Sequence, residues 1–259
     1  MIGLFDSGLG GLTVFRHLRA LLPQHDVLYF ADQAHVPYGD RRDDDLLALL
    51  ARNLGYLESA GADAVVMACN TSCAVAATYG WPQTRIPVLD LIASAAAAVV
   101  RYDGSRIGVV ATAATVRSGA YSRAIARMVP HASIREIAAP ELVPLVEAGI
   151  TAGPVARDAV MRACEPLLGR IDALVLGCTH YPLLTSTFAA VFGDGVALID
   201  PALVQAKAAV DLVRTDRLPP GSGVVRFVTS GEREPFVAGL HRLIPLPGDA
   251  HIESLQPAG

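Results

Sequence analysis

Lysine is almost missing from this 259-residue chain: Lys207 is the only one. A pyridoxal phosphate enzyme needs a lysine for its Schiff base, and Lys207 falls mid-helix among alanines, away from any strand end. That cofactor is therefore set aside. Positive charge is in no excess either, with 21 Lys and Arg against 25 Asp and Glu, a net charge of −4 and a pI near 5.9. Without a basic footprint, nucleic acid is not expected as a partner. Long apolar runs are missing too. The most apolar stretch, 91–100, is too short for a bilayer and rich in alanine, so no membrane partner is expected. The opening MIGLFDSG has no basic n-region and enters a strand at once, so the expected location is the cytoplasm. There the four cysteines (Cys69, Cys73, Cys164 and Cys178) stay reduced, and no Cys-x-x-Cys pair suggests disulfide chemistry.

What is present is apolar: 52% hydrophobic residues with 18% charged ones, the balance of a well-buried α/β protein. One stretch occurs twice. ADAVVMACNTS (62–72) and IDALVLGCTHY (171–181) each pair Asp-Ala with a short aliphatic run and then a cysteine. Aligning Cys69 with Cys178 gives an offset of 109 and superposes Asp63 on Asp172, Ala64 on Ala173 and Val66 on Val175. A second match, Ile2-Gly3-Leu4-Phe5 with Ile107-Gly108-Val109-Val110, runs at an offset of 105 and sets Ser7 opposite Thr112. We read an internal duplication of one β/α unit, in which each copy delivers a thiol to the carboxyl edge of a parallel sheet.

In chain order, strands are expected at 2–6 and 26–32 and helices at 12–22 and 43–60, the latter with leucines at 46, 47, 50, 54 and 57. The first thiol strand follows, then a short helix, a strand at 86–89 and an alanine-rich helix near 93–102. Helices near 116–129, 154–168, 183–192 and 201–214 alternate with strands near 133–137, 172–177 and 196–199. After the Pro-Pro-Gly-Ser-Gly linker (219–223) come a strand at 224–230 and a helix near 233–243. The expected fold class is α/β: two similar lobes, each a mostly parallel sheet flanked by helices. Residues 1–97 plus 207–259 would form the first lobe and 98–206 the second.

Asp6-Ser7-Gly8-Leu9-Gly10-Gly11 invites a dinucleotide reading, with Asp32 ending the next strand. Thr13 stands where the third glycine should be, and Asp6 would put an anion at a pyrophosphate site. The better reading is a nest of backbone N–H groups with Ser7 that binds a smaller anion such as a carboxylate; a purely structural turn is the alternative. Cys69-Asn70-Thr71 and Cys178-Thr179-His180 have rival readings as well. Buried cysteine is often just a small hydrophobe, but these two sit at strand ends among hydrogen-bonding residues. Zinc on Cys69, Cys73, Cys178 and His180 is the second rival, and strand-end cysteines from opposite halves suit a cleft better than a compact knuckle. No metal is expected, and Cys73 and Cys164 are read as packing residues.

Two facing thiols suit the inversion of a carbon centre. One face needs a base, the other an acid, and a thiolate–thiol pair serves both directions by exchanging roles. Each thiol then needs a neighbour to steer its proton. His180 is two residues from Cys178, Asp6 ends a strand expected beside the Cys69 strand, and Glu147 is a candidate by position.

Together these residues resemble the glutamate racemases, cofactor-independent members of the aspartate/glutamate racemase superfamily that supply D-glutamate for peptidoglycan. The resemblance runs through Asp-Ser-Gly-x-Gly-Gly at 6–11, Pro37-Tyr38-Gly39, Cys-Asn-Thr at 69–71, Thr112 with Thr115, and Gly-Cys-Thr-His-Tyr-Pro at 177–182. Related aspartate racemases usually carry glutamate where His180 stands. The resemblance implies Cys69 and Cys178 as the acid/base pair, assisted by Asp6, Glu147 and His180. Ser7, Pro37, Tyr38, Gly39, Asn70, Thr71, Thr112, Thr115 and Thr179, with Asp6 and His180, would hold the substrate. It also implies an active site in the cleft between the two lobes, no cofactor, glutamate as the small-molecule substrate, and a homodimer. Another amino-acid racemase of the superfamily, or a non-catalytic two-lobed binder of an acidic ligand, remains as an alternative. Two departures from the family pattern are the run Asp90–Ala95, where a Pro-Gly turn is common, and Ala139 in place of a cysteine.

Overall fold

The computed structural model describes residues 1–102, 105–215, 218, 220–248 and 250–255; Pro219 of the linker lies outside them. The chain begins with β1 (Ile2–Asp6), α1 (Leu12–Leu21), β2 (Val27–Ala31) and α2 (Asp43–Ser59), followed by β3 (Ala64–Met67), α3 (Asn70–Tyr79), β4 (Val88–Leu89) and α4 (Leu91–Val99). A second series runs β5 (Arg106–Ala111), α5 (Ala113–Ser118), α6 (Ala120–Met128), β6 (Ser133–Ala138), α7 (Leu142–Glu147) and α8 (Gly153–Cys164), then β7 (Ala173–Gly177), α9 (Thr185–Phe192) and β8 (Ala197–Ile199). Helix α10 (Pro201–Arg214) leads back to β9 (Val225–Thr229), α11 (Arg233–Leu243) and β10 (His251–Ser254). Two parallel sheets result, ordered β10-β9-β2-β1-β3-β4 and β6-β5-β7-β8. Among the described residues no helix is long and apolar enough to cross a membrane.

The duplication is visible in the pairing register. Ile2 of β1 lies opposite Ala64 of β3, and Ile107 of β5 lies opposite Ala173 of β7. These are the residues that the two sequence offsets superpose. Asp63 and Asp172 do the same work in each half. The Asp63 amide donates to the Met1 carbonyl at 2.9 Å and the Asp172 amide to the Arg106 carbonyl at 2.7 Å. Each carboxylate in turn accepts from the backbone nitrogen of that same partner. Gly3 and Gly108 are matched as well: a Cβ on Gly3 would fall 3.1 Å from Ala62 Cβ, and one on Gly108 would fall 2.8 Å from Ile171 Cδ1. Residues 62 and 171 are themselves equivalent, so both central strands need a glycine for the same close packing.

Strands β1, β2, β3 and β7 are buried along their whole length, as continuous apolar runs covered on both faces must be. The α2 leucines 46, 50, 54 and 57 are buried as expected, together with Leu49; Leu47 is only partly covered. Helices α4 and α10, which lead out of and back into the first sheet, pack on each other. The tail strand β9 returns beside β2.

Five elements differ from the sequence reading, among them helix α7, which was not expected. The expected helix 116–129 is two helices, because Gly119 at φ +61° takes the left-handed conformation between them. The helix beginning at Gly153 stops at Cys164, before Pro166, and continues as a 3-10 turn. The strand at 86–89 shortens to two residues. Strand β10 was not expected; it extends the sheet edge beside β9 and its side chains are exposed or only partly buried.

Candidate active site

The carboxyl ends of both sheets open onto one cavity of about 330 Å³. Cys69 follows β3 and is the N-cap residue of α3, and Cys178 follows β7. Asp6, Ser7, Pro37, Tyr38, Gly39, Cys69, Asn70, Thr71, Thr112, Glu147, Cys178, Thr179 and His180 all line this cavity. Thr115, expected to hold substrate, does not: it is fully buried behind Thr112, whose Oγ1 lies 2.9 Å from its own. The sequence reading missed Val36, Asp40, Ala113, Pro140, Val143 and Pro144, which with Gly8 of the 6–11 turn complete the lining. The apolar ones carry no chemical signature beyond the Pro-rich segment preceding Glu147, and Asp40 directly follows the Pro37-Tyr38-Gly39 turn.

The two thiols have unlike surroundings. Cys178 Sγ lies 3.8 Å from His180 Nδ1, and the other ring nitrogen of His180 lies 3.3 Å from Glu147 Oε1. Burial opposes a charge on His180, yet contacts with Cys178 and Glu147, aided by Asp6, prevail and push its pKa up to about 10. Glu147 is held below the usual carboxylate range, chiefly by its hydrogen bond with His180. Cys69 is pushed up to about 11 by burial and by the nearby Asp6 carboxylate, against the Ser72 and Ser7 groups that face its sulfur. One thiol thus keeps its own proton, while the other sits beside an imidazole that keeps one.

The Asp6–Gly11 turn corrects the nest reading. Two of its amides are not free for a ligand: those of Gly11 and Gly8 donate to Asp6 Oδ2, at 2.7 and 3.3 Å. A buried carboxylate needs those donors, so the turn wraps its own aspartate. Burial still raises the Asp6 pKa, offset in part by His180 and these amides. The glycines serve closeness of approach. A Cβ on Gly10 would fall 2.5 Å from Thr179 Oγ1 and 2.6 Å from His180 Nδ1. Thr13, out of place in a dinucleotide fingerprint, lies with Oγ1 3.3 Å from the Thr179 carbonyl and 2.9 Å from that of Gly10.

The two halves also meet through hydroxyls. Thr71 Oγ1 lies 3.0 Å from Thr112 Oγ1. Asn70 accepts from the Tyr121 hydroxyl at 2.5 Å, and its Nδ2 is a buried donor with no partner among the described residues. Asn70 lines the cavity, and a buried donor without a partner is one that a ligand oxygen would satisfy. Of the zinc reading's four residues, Cys73 is absent from the lining and faces Asp90 instead. No group of three or more His, Cys, Asp or Glu among the described residues is placed to hold a metal ion.

The chain is similar to known proteins over most of its length. Residues 13–209 match the Asp/Glu/Hydantoin racemase family model. The chain is 43% identical over 248 residues to the glutamate racemase of Desulforudis audaxviator, covering 92% of this chain and 91% of that one. Glutamate racemase isoform RacE1 of Bacillus anthracis superposes with a TM-score of 0.92 at 29% identity, covering 98% of this chain and 97% of the other. Glutamate racemase of Francisella tularensis, solved in complex with D-glutamate, superposes at 0.85 with 29% identity, covering 97% and 95%. A chain that matches over most of its length, and whose halves each bring a thiol to one cavity, belongs to the Asp/Glu/hydantoin racemase family.

Proposed function

We propose that this amino-acid racemase interconverts L- and D-glutamate by two-base proton transfer between Cys69 and Cys178. The observation that carries the reading is the placement of two thiols, from equivalent strand ends, on one cavity with unequal neighbours. The protonated His180 supplies the charge that a Cys178 thiolate needs, while Cys69 holds a proton at neutral pH. In one direction the Cys178 sulfur takes the Cα proton and Cys69 delivers its own to the opposite face; the reverse direction exchanges the roles. Between these transfers the carbanion's charge spreads into the α-carboxylate. Hydrogen-bond donors held in place, with the Asn70 amide foremost, stabilise it there, and the buried site excludes water.

Glutamate as the substrate is supported by the relatives' activity and by the D-glutamate bound to the Francisella enzyme. On this reading the two lobes divide at 97/98 and 206/207, the protein works in the cytoplasm as a homodimer, and its product feeds peptidoglycan synthesis. The test is incubation of metal-free protein with L-glutamate in D2O, without cofactor. Loss of optical rotation with deuterium entering Cα is expected. Cys69→Ala and Cys178→Ala should each abolish inversion, a loss of at least ~10³-fold for removal of an acid/base group at the reacting carbon. Inversion of aspartate instead would identify the related racemase activity. Binding of glutamate without exchange would identify a non-catalytic binder.

A further inference from the structure

Asn70 meets its ligand with one of two chemically opposite faces, since an amide's oxygen and nitrogen ends are nearly equal in shape. We propose that Tyr121 is the positioning residue that decides between them, so that the cavity receives the Asn70 N–H₂ and never its carbonyl. This deepens the glutamate racemase reading and rests on it.

Tyr121 is the second residue of α6 and is fully buried. Its hydroxyl donates to Asn70 Oδ1 at 2.5 Å, and no other acceptor is in reach of that proton among the described residues. With the amide flipped, the phenol could accept from Nδ2, but its own proton would be buried without a partner, and the Asn70 oxygen would face an anionic substrate. Both costs are those of a buried unpaired polar group. Burial also keeps the phenol in its protonated, donating form.

The ring reaches the second thiol loop as well. A Cβ on Gly177, the residue before Cys178, would fall 3.0 Å from Tyr121 Cε2. One side chain therefore touches the residue after Cys69 and the residue before Cys178, in opposite halves of the duplication.

Tyr121→Phe retains the ring and removes only the hydroxyl. The test is a double-mutant cycle with Asn70→Ala, read as glutamate binding by calorimetry and as kcat/KM, with melting temperatures showing that each variant folds. Tyr121→Phe alone should weaken binding and kcat/KM about tenfold, the size of one buried hydrogen bond to a neutral group. In the Asn70→Ala background it should cost nothing further, because the group it orients is gone. An unchanged kcat/KM in Tyr121→Phe, or the same loss in both backgrounds, would overturn the role. If the wild type neither binds nor inverts glutamate, the functional reading itself fails, and the positioning role falls with it.

Discussion

His180 joins three ionisable groups in series: the Cys178 thiol at one ring nitrogen, the Glu147 carboxylate at the other, and the charge of Asp6 nearby. Burial alone would strip its proton; the anionic neighbours keep it, up to about pH 10. Cys69 keeps its own up to about pH 11. On the proposed two-base mechanism the thiol and imidazolium needed on opposite faces therefore persist together through neutral pH and are lost on the alkaline side. We expect kcat/KM to fall as pH rises above about 10, an ionisation of the free enzyme. His180→Asn, which holds no such proton, should lose about 10²-fold in kcat/KM at neutral pH. A pH–rate profile of both proteins checks this, and an unaltered alkaline limb in the variant would exclude His180 as its source. At this scale the sequence pointed to the candidate residues and was silent about their partners. Cys69 and Cys178 stand out by repetition, and His180 by residue type beside Cys178. That the Gly8 and Gly11 amides serve Asp6, or that Thr115 stands behind Thr112, depends on which way a turn folds.

Asp32 shows what an element end does beyond carrying the chain. It directly follows β2 and is fully buried, and its carboxylate accepts from Tyr38 Oη at 2.5 Å, Ser230 Oγ at 2.6 Å, Arg52 at 2.9 Å and Asn53 Nδ2 at 3.1 Å, with His35 Nδ1 also 2.9 Å away. Those contacts tie α2 and the turn after β9 to the Pro37–Gly39 segment at the cavity lip. Burial pushes its pKa up, and the hydrogen bonds of Ser230, Tyr38, His35 and Asn53 outweigh it, so the folded value lies below the ordinary 3.8. A depressed carboxylate stabilises the fold above its unfolded pKa, and that contribution disappears as pH falls through the folded one. Asp32→Asn should therefore cost about 2–3 kcal/mol at neutral pH, with its melting curve converging on the wild type below about pH 4. A constant gap from pH 7 to pH 3 would show that charge plays no part. Elements were largely legible in the sequence, because β1, β3, β5 and β7 are continuous apolar runs and α2 has a helical leucine stripe. The misses have local causes that periodicity does not see: a left-handed Gly119, and an edge strand too exposed to carry an apolar pattern.

Across the whole molecule, Gln205 of α10 reaches into the junction of the two halves. Fully buried, it donates to the Met67 and Leu89 carbonyls at 2.9 and 2.7 Å and accepts from Ser94 of α4 at 2.6 Å. One amide thus holds the ends of β3 and β4 and both crossover helices, two residues from Cys69. Gln205→Leu should fill the space but strand three polar groups, costing about 2–4 kcal/mol in denaturant unfolding. A loss within ~0.5 kcal/mol, the usual range for a surface change, would show that the junction does not need it. What the sequence by itself determined was the repeated unit, the parallel strands and the two thiols at their ends. A strand covered on both faces must be apolar throughout, and its loop is the first place where polar chemistry can sit; both signals are local. Only the tertiary structure decided that the thiols share one cavity, which neighbour each has, and which amides are already taken. Asp6 and Thr179 come within 3.5 Å across 173 residues of sequence, and such a meeting is set by how two sheets pack around α4 and α10, which no local pattern encodes.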